Sequence, residues 1–358
     1  MSESQDLVTE AQGPDPEIGA VKDMTDENTQ RLTSRANRQS GSRELTRKPT
    51  IGLALGGGGA RGLAHILMLE VLDEMGIRPK IIAGTSIGAI FGAAYASGYS
   101  AAQIRAHTEE LLRSRFELVR QFFLARKEPL GRVLNVLQLR SALLNPEALL
   151  DIVMPRRLAA DFNDLEIPLR VVAADFFTQD QVVMSAGSIK GAVAASMALP
   201  VLFSPVMSED RALMDGGLVN PLPFDVISGE ADIIVAVNVS GAGRLPGDRS
   251  LPKATEALIA SLQILQYTIV REKLLSRQPD VLVDVDVGHF HVLEFHKLEQ
   301  VLEAAAPAKA ELRQKLERVL SAETLETIDE PQKTLDEPPE TKRARLAQRL
   351  LGNDGNPR

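Results

Sequence analysis

Hydrophobic positions are spread unevenly along the 358 residues, and the unevenness marks out one folded body. Residues 1–48 are polar, acidic at first and basic from Arg31 to Lys48, with almost no apolar periodicity. Such a segment cannot bury enough surface to order itself, so a disordered arm is expected there. At Ile51 the pattern changes. Ile51-Gly-Leu-Ala-Leu55 is an unbroken apolar run ending in glycines, which suits a strand buried in a parallel sheet. Beyond the glycine turn at 56–59, Leu63, Ile66, Leu67, Leu69, Val71 and Leu72 recur at helical spacing over residues 61–75, and Gly76 is a stop signal. Residues 80–83 predict a second strand and the Gly- and Ala-rich residues 87–99 a second helix. This order opens an α/β domain.

The same reading predicts strands over 169–174, 181–184, 212–214, 233–239 and 281–285. Helices are predicted over 101–116, 146–154, 188–195, 255–275 and 298–320, and residues 118–144 are amphipathic without an assigned element. From Glu323 the chain turns Pro-, Glu- and Arg-rich, so 323–358 is expected to be a second disordered tail. One domain over 49–322 remains, with no internal repeat.

Composition narrows the chemistry. Hydrophobic residues make up 44% and charged residues 25%, as in a soluble globular chain. The net charge is 40 − 48 = −8, which argues against a general nucleic-acid binder. Cysteine is absent, which excludes disulfides, thiol catalysis and cysteine-ligated metal. With five histidines, no metal site and no cofactor are expected. There is no tryptophan and only three tyrosines, so a membrane aromatic belt is not expected. The longest uncharged stretch, 191–208, contains Pro200 and Pro205 and is only moderately apolar, whereas a spanning helix needs about 20 apolar residues. The first residues, MSESQDLVTEAQG, lack the basic and apolar regions of a secretory signal. Cytoplasmic residence is the expectation, with peripheral membrane contact allowed.

Three motifs carry candidate chemistry. Gly84-Thr85-Ser86-Ile87-Gly88 lies between a predicted strand and a predicted helix, the context of a nucleophile elbow. The turn would hold the Ser86 hydroxyl at the carboxyl end of the sheet, with Gly84 and Gly88 where side chains would clash. Gly56-Gly-Gly-Gly-Ala-Arg-Gly62 likewise follows a strand and opens a helix, so its N–H groups can converge on an anion, either a phosphate or an acyl-transfer oxyanion. Gly57–Gly62 also satisfies the dinucleotide pattern G-x-G-x-x-G. That fold needs an acid at the end of the next strand, where this chain has Ala83-Gly84-Thr85-Ser86. Arg61, a cation in a first helical turn, is disfavoured by the dipole and needs compensation, from a salt bridge or from an anionic substrate group. The third motif, Asp215-Gly216-Gly217, ends a short apolar strand. Apolar surroundings from residues 195–203 would raise the Asp215 pKa and make it a better base.

In this order the three motifs resemble those of the patatin-like phospholipases, especially bacterial members. Ala194-Ala-Ser-Met-Ala-Leu-Pro200 and Asn220-Pro-Leu-Pro223 are also similar to the family. The resemblance spans about residues 50–300 and shows no departure at the core motifs. It implies a three-layer α/β/α fold with a mostly parallel central sheet and the elbow after the second strand. It implies Ser86 as nucleophile, Asp215 as base, an oxyanion hole from amides of Gly57, Gly58 and Gly59, and a lipid ester substrate, a phospholipid by expectation.

Two rivals stand beside it. Ser86, Asp215 and one of His289, His291 or His296 follow the chain order of an α/β-hydrolase triad. Alternatively, the chain is a non-catalytic lipid-binding regulator, with the basic stretch Lys342-Arg343-Ala-Arg345-Leu-Ala-Gln-Arg349 touching anionic lipid. Residues 122–124, 133–139 and 197–203 are candidates for the wall of an acyl groove. His65 is expected to be a helix residue with local hydrogen bonds, and His107 a surface residue.

Overall fold

The first apolar run is β1 (Ile51–Leu55), buried at every residue. A computed structural model of the chain describes residues 48–114, 144–241 and 254–326. A 3-10 turn over Gly59–Ala64 leads into α1 (His65–Glu74). β2 (Ile81–Thr85), α2 (Ile87–Ala96) and α3 (Ala101–Ser114) follow. α4 (Pro146–Val153) begins with Asn145, whose side-chain oxygen accepts from the Glu147 and Ala148 amides, and a proline sits in its first turn. The chain continues through β3 (Leu169–Asp175), β4 (Gln181–Met184), α5 (Ile189–Ser196), β5 (Val206–Ser208), β6 (Arg211–Asp215) and β7 (Ile233–Asn238). It ends with α6 (Ala254–Ser276), β8 (Val281–Asp284) and α7 (Leu298–Glu326).

The strands form one sheet in the order β5-β6-β3-β2-β1-β7-β8, with β4 also paired to β3. β3, β2, β1, β7 and β8 are parallel, so their carboxyl ends share one edge. β4 and β6 run antiparallel to β3, and β5 runs antiparallel to β6. Val172 of β3 pairs with Thr85 of β2 and with Val183 of β4, while the next residue, Ala173, pairs with Val182 of β4 and with Asp215 of β6. β6 therefore takes over the edge of β3 that β2 leaves when it turns into α2. That register puts the ends of β2 and β6 side by side.

The two faces are covered unequally. One large core joins Leu53, Leu55 and Ile82 of the sheet to Ile66, Met68 and Leu69 of α1 and to Val301, Leu312 and Leu316 of α7. On the opposite face a smaller core joins Ala54, Ala83 and Ala236 to Leu222, Phe224 and Val270. The architecture is the expected α/β/α sandwich with one thin layer.

Differences from the expected elements are local. The helix foreseen from Arg61 starts as a 3-10 turn, because Gly59 has φ +58 and the chain must stay close to the neighbouring elbow. β5 was not foreseen, having three residues and a mostly exposed surface. The final helix, expected over 298–320, continues to Glu326. The amphipathic stretch and the groove candidates at 122–124 and 133–139 lie outside the described residues, as do 1–47 and 327–358.

Candidate active site

Ser86 joins β2 to α2 with φ 53 and ψ −121, a strained conformation for a residue with a side chain. The surroundings hold it there. The Ser86 N–H donates to Ser196 Oγ at 2.9 Å, and the buried Ser196 hydroxyl donates to Val172 O at 2.6 Å. A Cβ on Gly88 would lie 2.1 Å from Leu55 O, and one on Gly84 2.6 Å from Ala89 Cα. Both elbow glycines are therefore needed for close backbone approach.

Asp215 arrives beside this turn through the β3 register. Its Oδ2 accepts from Ser86 Oγ at 2.7 Å, and its Oδ1 accepts from the Gly217 N–H at 2.7 Å. A Cβ on Gly216 would meet Val172 O at 2.2 Å, so the strand end also needs glycine. Asp215 is buried, and burial pushes its carboxyl up to about 6, against the opposing hydrogen bonds from Ser86 and Gly217.

The glycine loop completes the arrangement. A Cβ on Gly57 would lie only 3.5 Å from Ser86 Cβ, and one on Gly62 would run into Ile87 at 2.3 Å, so loop and elbow are packed together. The expected set of free amides is corrected. Gly57 N–H donates to Pro221 O at 2.9 Å, Gly56 N–H to Val237 O at 3.0 Å and Ala60 N–H to Val292 O at 2.8 Å. Gly58 and Gly59 are left with no acceptor for their amides among the described residues, and both line the cavity that holds Ser86 and Asp215.

Arg61 does neither thing foreseen for it. Its buried guanidinium donates to three backbone carbonyls, Phe290 O at 2.7 Å, Ser240 O at 2.5 Å and Gly288 O at 3.1 Å. It ties the segments after β7 and β8 to the glycine loop, and burial lowers its pKa. His65 reaches beyond its own helix: its Nε2–H donates to Gly56 O at 2.8 Å and braces the loop from below. Complete burial lowers its pKa to about 4, so the ring is neutral, and its Nδ1 has no partner among the described residues. His107, expected at the surface, is half-buried, bonds to Val153 O at 2.9 Å and lines the cavity.

The histidines of the rival triad are not brought into line. His289, His291 and His296 are exposed. His289 lies against the Phe290 ring, with centroids 4.1 Å apart, and the His291 amide donates to Glu294. The direct bond from Ser86 to Asp215 leaves no place for a ring between them.

A cavity of about 160 Å³ runs from Gly58, Gly59, Ser86 and Asp215 past Phe91 toward Val153. Met197, Leu199, Leu202 and Phe203 line it, from the groove candidate at 197–203. Its roof, which the sequence did not reveal, is α6, through Ile259, Leu262, Gln263 and Gln266. Ser196 was also missed as a positioning group, although it falls within the family-like stretch at 194–200. No group of residues able to hold a metal occurs among the described residues. No helix among them is long and apolar enough to cross a membrane.

A strand–elbow–helix serine, a carboxylate on the adjoining strand end and a glycine loop define a domain type, and comparison agrees. The family model described as Patatin-like phospholipase matches residues 53–227 of the 358. An uncharacterized NTE family protein of Mycobacterium tuberculosis is 30% identical over 282 residues, covering 72% of this chain and 46% of the relative. The patatin-like phospholipase domain-containing protein 7 of Rattus norvegicus is 28% identical over 277 residues, covering 71% of this chain and 20% of the relative. The chain thus spans about half of the first relative and a fifth of the second. Among solved structures, VipD from Legionella pneumophila matches with a TM-score of 0.42 and 15% identity, over 78% of this chain and 72% of that one.

Proposed function

We propose that the chain is a lipid acyl hydrolase that cleaves carboxylic esters with a Ser86–Asp215 dyad. One observation carries the reading: a strained serine hydroxyl donates at 2.7 Å to a buried carboxylate whose pKa burial has raised to about 6. At neutral pH such a carboxylate is mostly ionised, yet more basic than an ordinary one. Ser86 Oγ attacks the ester carbonyl and its proton passes to Asp215. The Gly58 and Gly59 amides stabilise the oxyanion, each good donor being worth about 3 kcal/mol. As the C–O bond breaks, Asp215 returns the proton to the leaving alcohol. Water then attacks the acyl-enzyme, its proton passing to Asp215 and on to Ser86 Oγ as the fatty acid leaves.

The apolar cavity beside Ser86 supports an acyl chain as the group transferred, and the family supports a lipid, with phospholipid the first choice. The test is release of fatty acid from a panel of phospholipids, lysophospholipids and neutral lipids by wild type and Ser86→Ala. Release by wild type alone supports the reading. Equal release by both rejects Ser86 as nucleophile, and release by neither, together with binding of lipid, favours the regulator.

A further inference from the structure

α6 roofs the cavity with one face and presents the other to solvent. Its C-terminal part is anchored. Lys273 Nζ donates to Asn220 Oδ1 at 2.6 Å and Leu222 O at 2.9 Å, pairs with Asp225 and lies 4.6 Å above the Phe224 ring, while Val270 is buried beneath. Farther toward its N-terminus, Ile259, Leu262 and Gln266 face the cavity. On the other side Leu258, Ile264 and Leu265 are 46%, 65% and 59% exposed. Between Glu256 and Arg271 the helix carries no charged residue. The polar positions in this run are uncharged, and among the described residues nothing covers Leu258, Ile264 and Leu265 on the side away from the cavity.

A second exposed apolar element stands at the same edge of the sheet. Phe176 and Phe177 directly follow β3, whose carboxyl end runs parallel to that of β2, and Ser86 directly follows β2. The two rings meet edge to face at 5.3 Å and are 55% and 67% exposed. The turn that carries them is tied to α6, because Asn220, which holds Lys273, also donates to Gln181 Oε1 at the start of β4.

We propose that α6 and the Phe176–Phe177 turn form a docking surface for a lipid bilayer, seated by insertion of apolar side chains rather than by charge. This rests on the lipid-hydrolase reading. The exposed side of α6 is the outer surface of the same helix that lines the cavity, so a bilayer seated on it lies one helix away from the Ser86 cavity. The uncharged run over 257–270 matches the boundary between headgroups and acyl chains. The net charge of −8 gives no general attraction to anionic lipid, so zwitterionic lipid suffices.

The test is flotation of the full chain with phosphatidylcholine vesicles at low and high salt. It compares wild type, the pair Ile264→Asn with Leu265→Asn, and the pair Phe176→Ser with Phe177→Ser. Wild type floats at both salt concentrations, and each pair lowers partitioning about tenfold or more. Hydrolysis of soluble p-nitrophenyl acetate stays at the wild-type rate in both pairs, while hydrolysis of vesicle lipid falls in parallel with binding. The proposal is overturned if wild type does not float, or if it floats only with anionic vesicles and is released by salt. It is equally overturned if the α6 pair dissociates a dimer in sedimentation velocity without changing flotation, since a second copy then covers the helix. Inactivity of wild type on p-nitrophenyl acetate counts against the esterase chemistry, and flotation still decides the docking surface.

Discussion

The floor and the roof of the cavity are built in opposite ways. In the floor, α2 approaches β1 and the chain after β6 approaches β3 so closely that a single added carbon at Gly88 or Gly216 would overlap a carbonyl oxygen. Polar groups around Ser86 are held by directional bonds: its amide donates to Ser196, its hydroxyl to Asp215, and the Gly56 and Gly57 amides to neighbouring strand and loop carbonyls. The roof, α6, is held at one end by Lys273, and over the cavity it presents Ile259 and Leu262 beside the uncharged Gln263 and Gln266. The contrast teaches where this molecule needs geometric accuracy. Proton transfer requires positions fixed to fractions of an ångström, whereas covering an acyl chain requires only apolar surface of about the right size.

Substitutions should separate the two regions, and the largest effect falls on Ser86→Ala. Its esterase rate drops by about 10⁴-fold or more, while its urea-unfolding midpoint stays near wild type. Gly88→Ala comes next. Its Cβ has no space against Leu55 O, so equilibrium unfolding in urea should show a loss of about 3 kcal/mol or more, whereas Leu258→Ala on the roof changes stability by less than about 0.5 kcal/mol. Ser196→Ala strands the Ser86 amide and Val172 O. Stability falls by about 1–3 kcal/mol, and kcat falls more than KM rises, because the elbow loses its positioning bond. Smallest is the combined replacement of His289, His291 and His296 by Ala, for which kcat stays within about twofold of wild type, since single surface substitutions away from the site change little. A large loss there would restore the triad.

The same contrast governs what the sequence made legible. The floor is readable because close approach leaves a mark: Gly84, Gly88, Gly62 and Gly216 are glycines for steric reasons, and they sit at fixed offsets from Ser86 and Asp215. Buried parallel strands such as β1 and β7 are readable as short apolar runs. The roof is not. α6 reads as one more apolar helix, and nothing in its periodicity says that it lies over the cavity with one side exposed. Hydrogen bonds between distant segments were equally hidden. Ser196 serves Ser86 across 110 residues, and Arg61 serves carbonyls about 180 to 230 residues away, where the local sequence pointed to a salt bridge or an anionic substrate group. The loss of Gly57 from the free amides depends on Pro221, whose approach only the folded chain reveals.

The dyad is tested most directly by the rate at which a fluorophosphonate labels the protein, followed by mass spectrometry as a function of pH. The adduct should sit on Ser86. Its rate should fall as pH drops through about 6, because Asp215 then gains a proton and no longer accepts the one from Ser86. Asp215→Asn should lose that labelling. An adduct on another residue, or an Asp215→Asn protein that labels at the wild-type rate, would contradict the account.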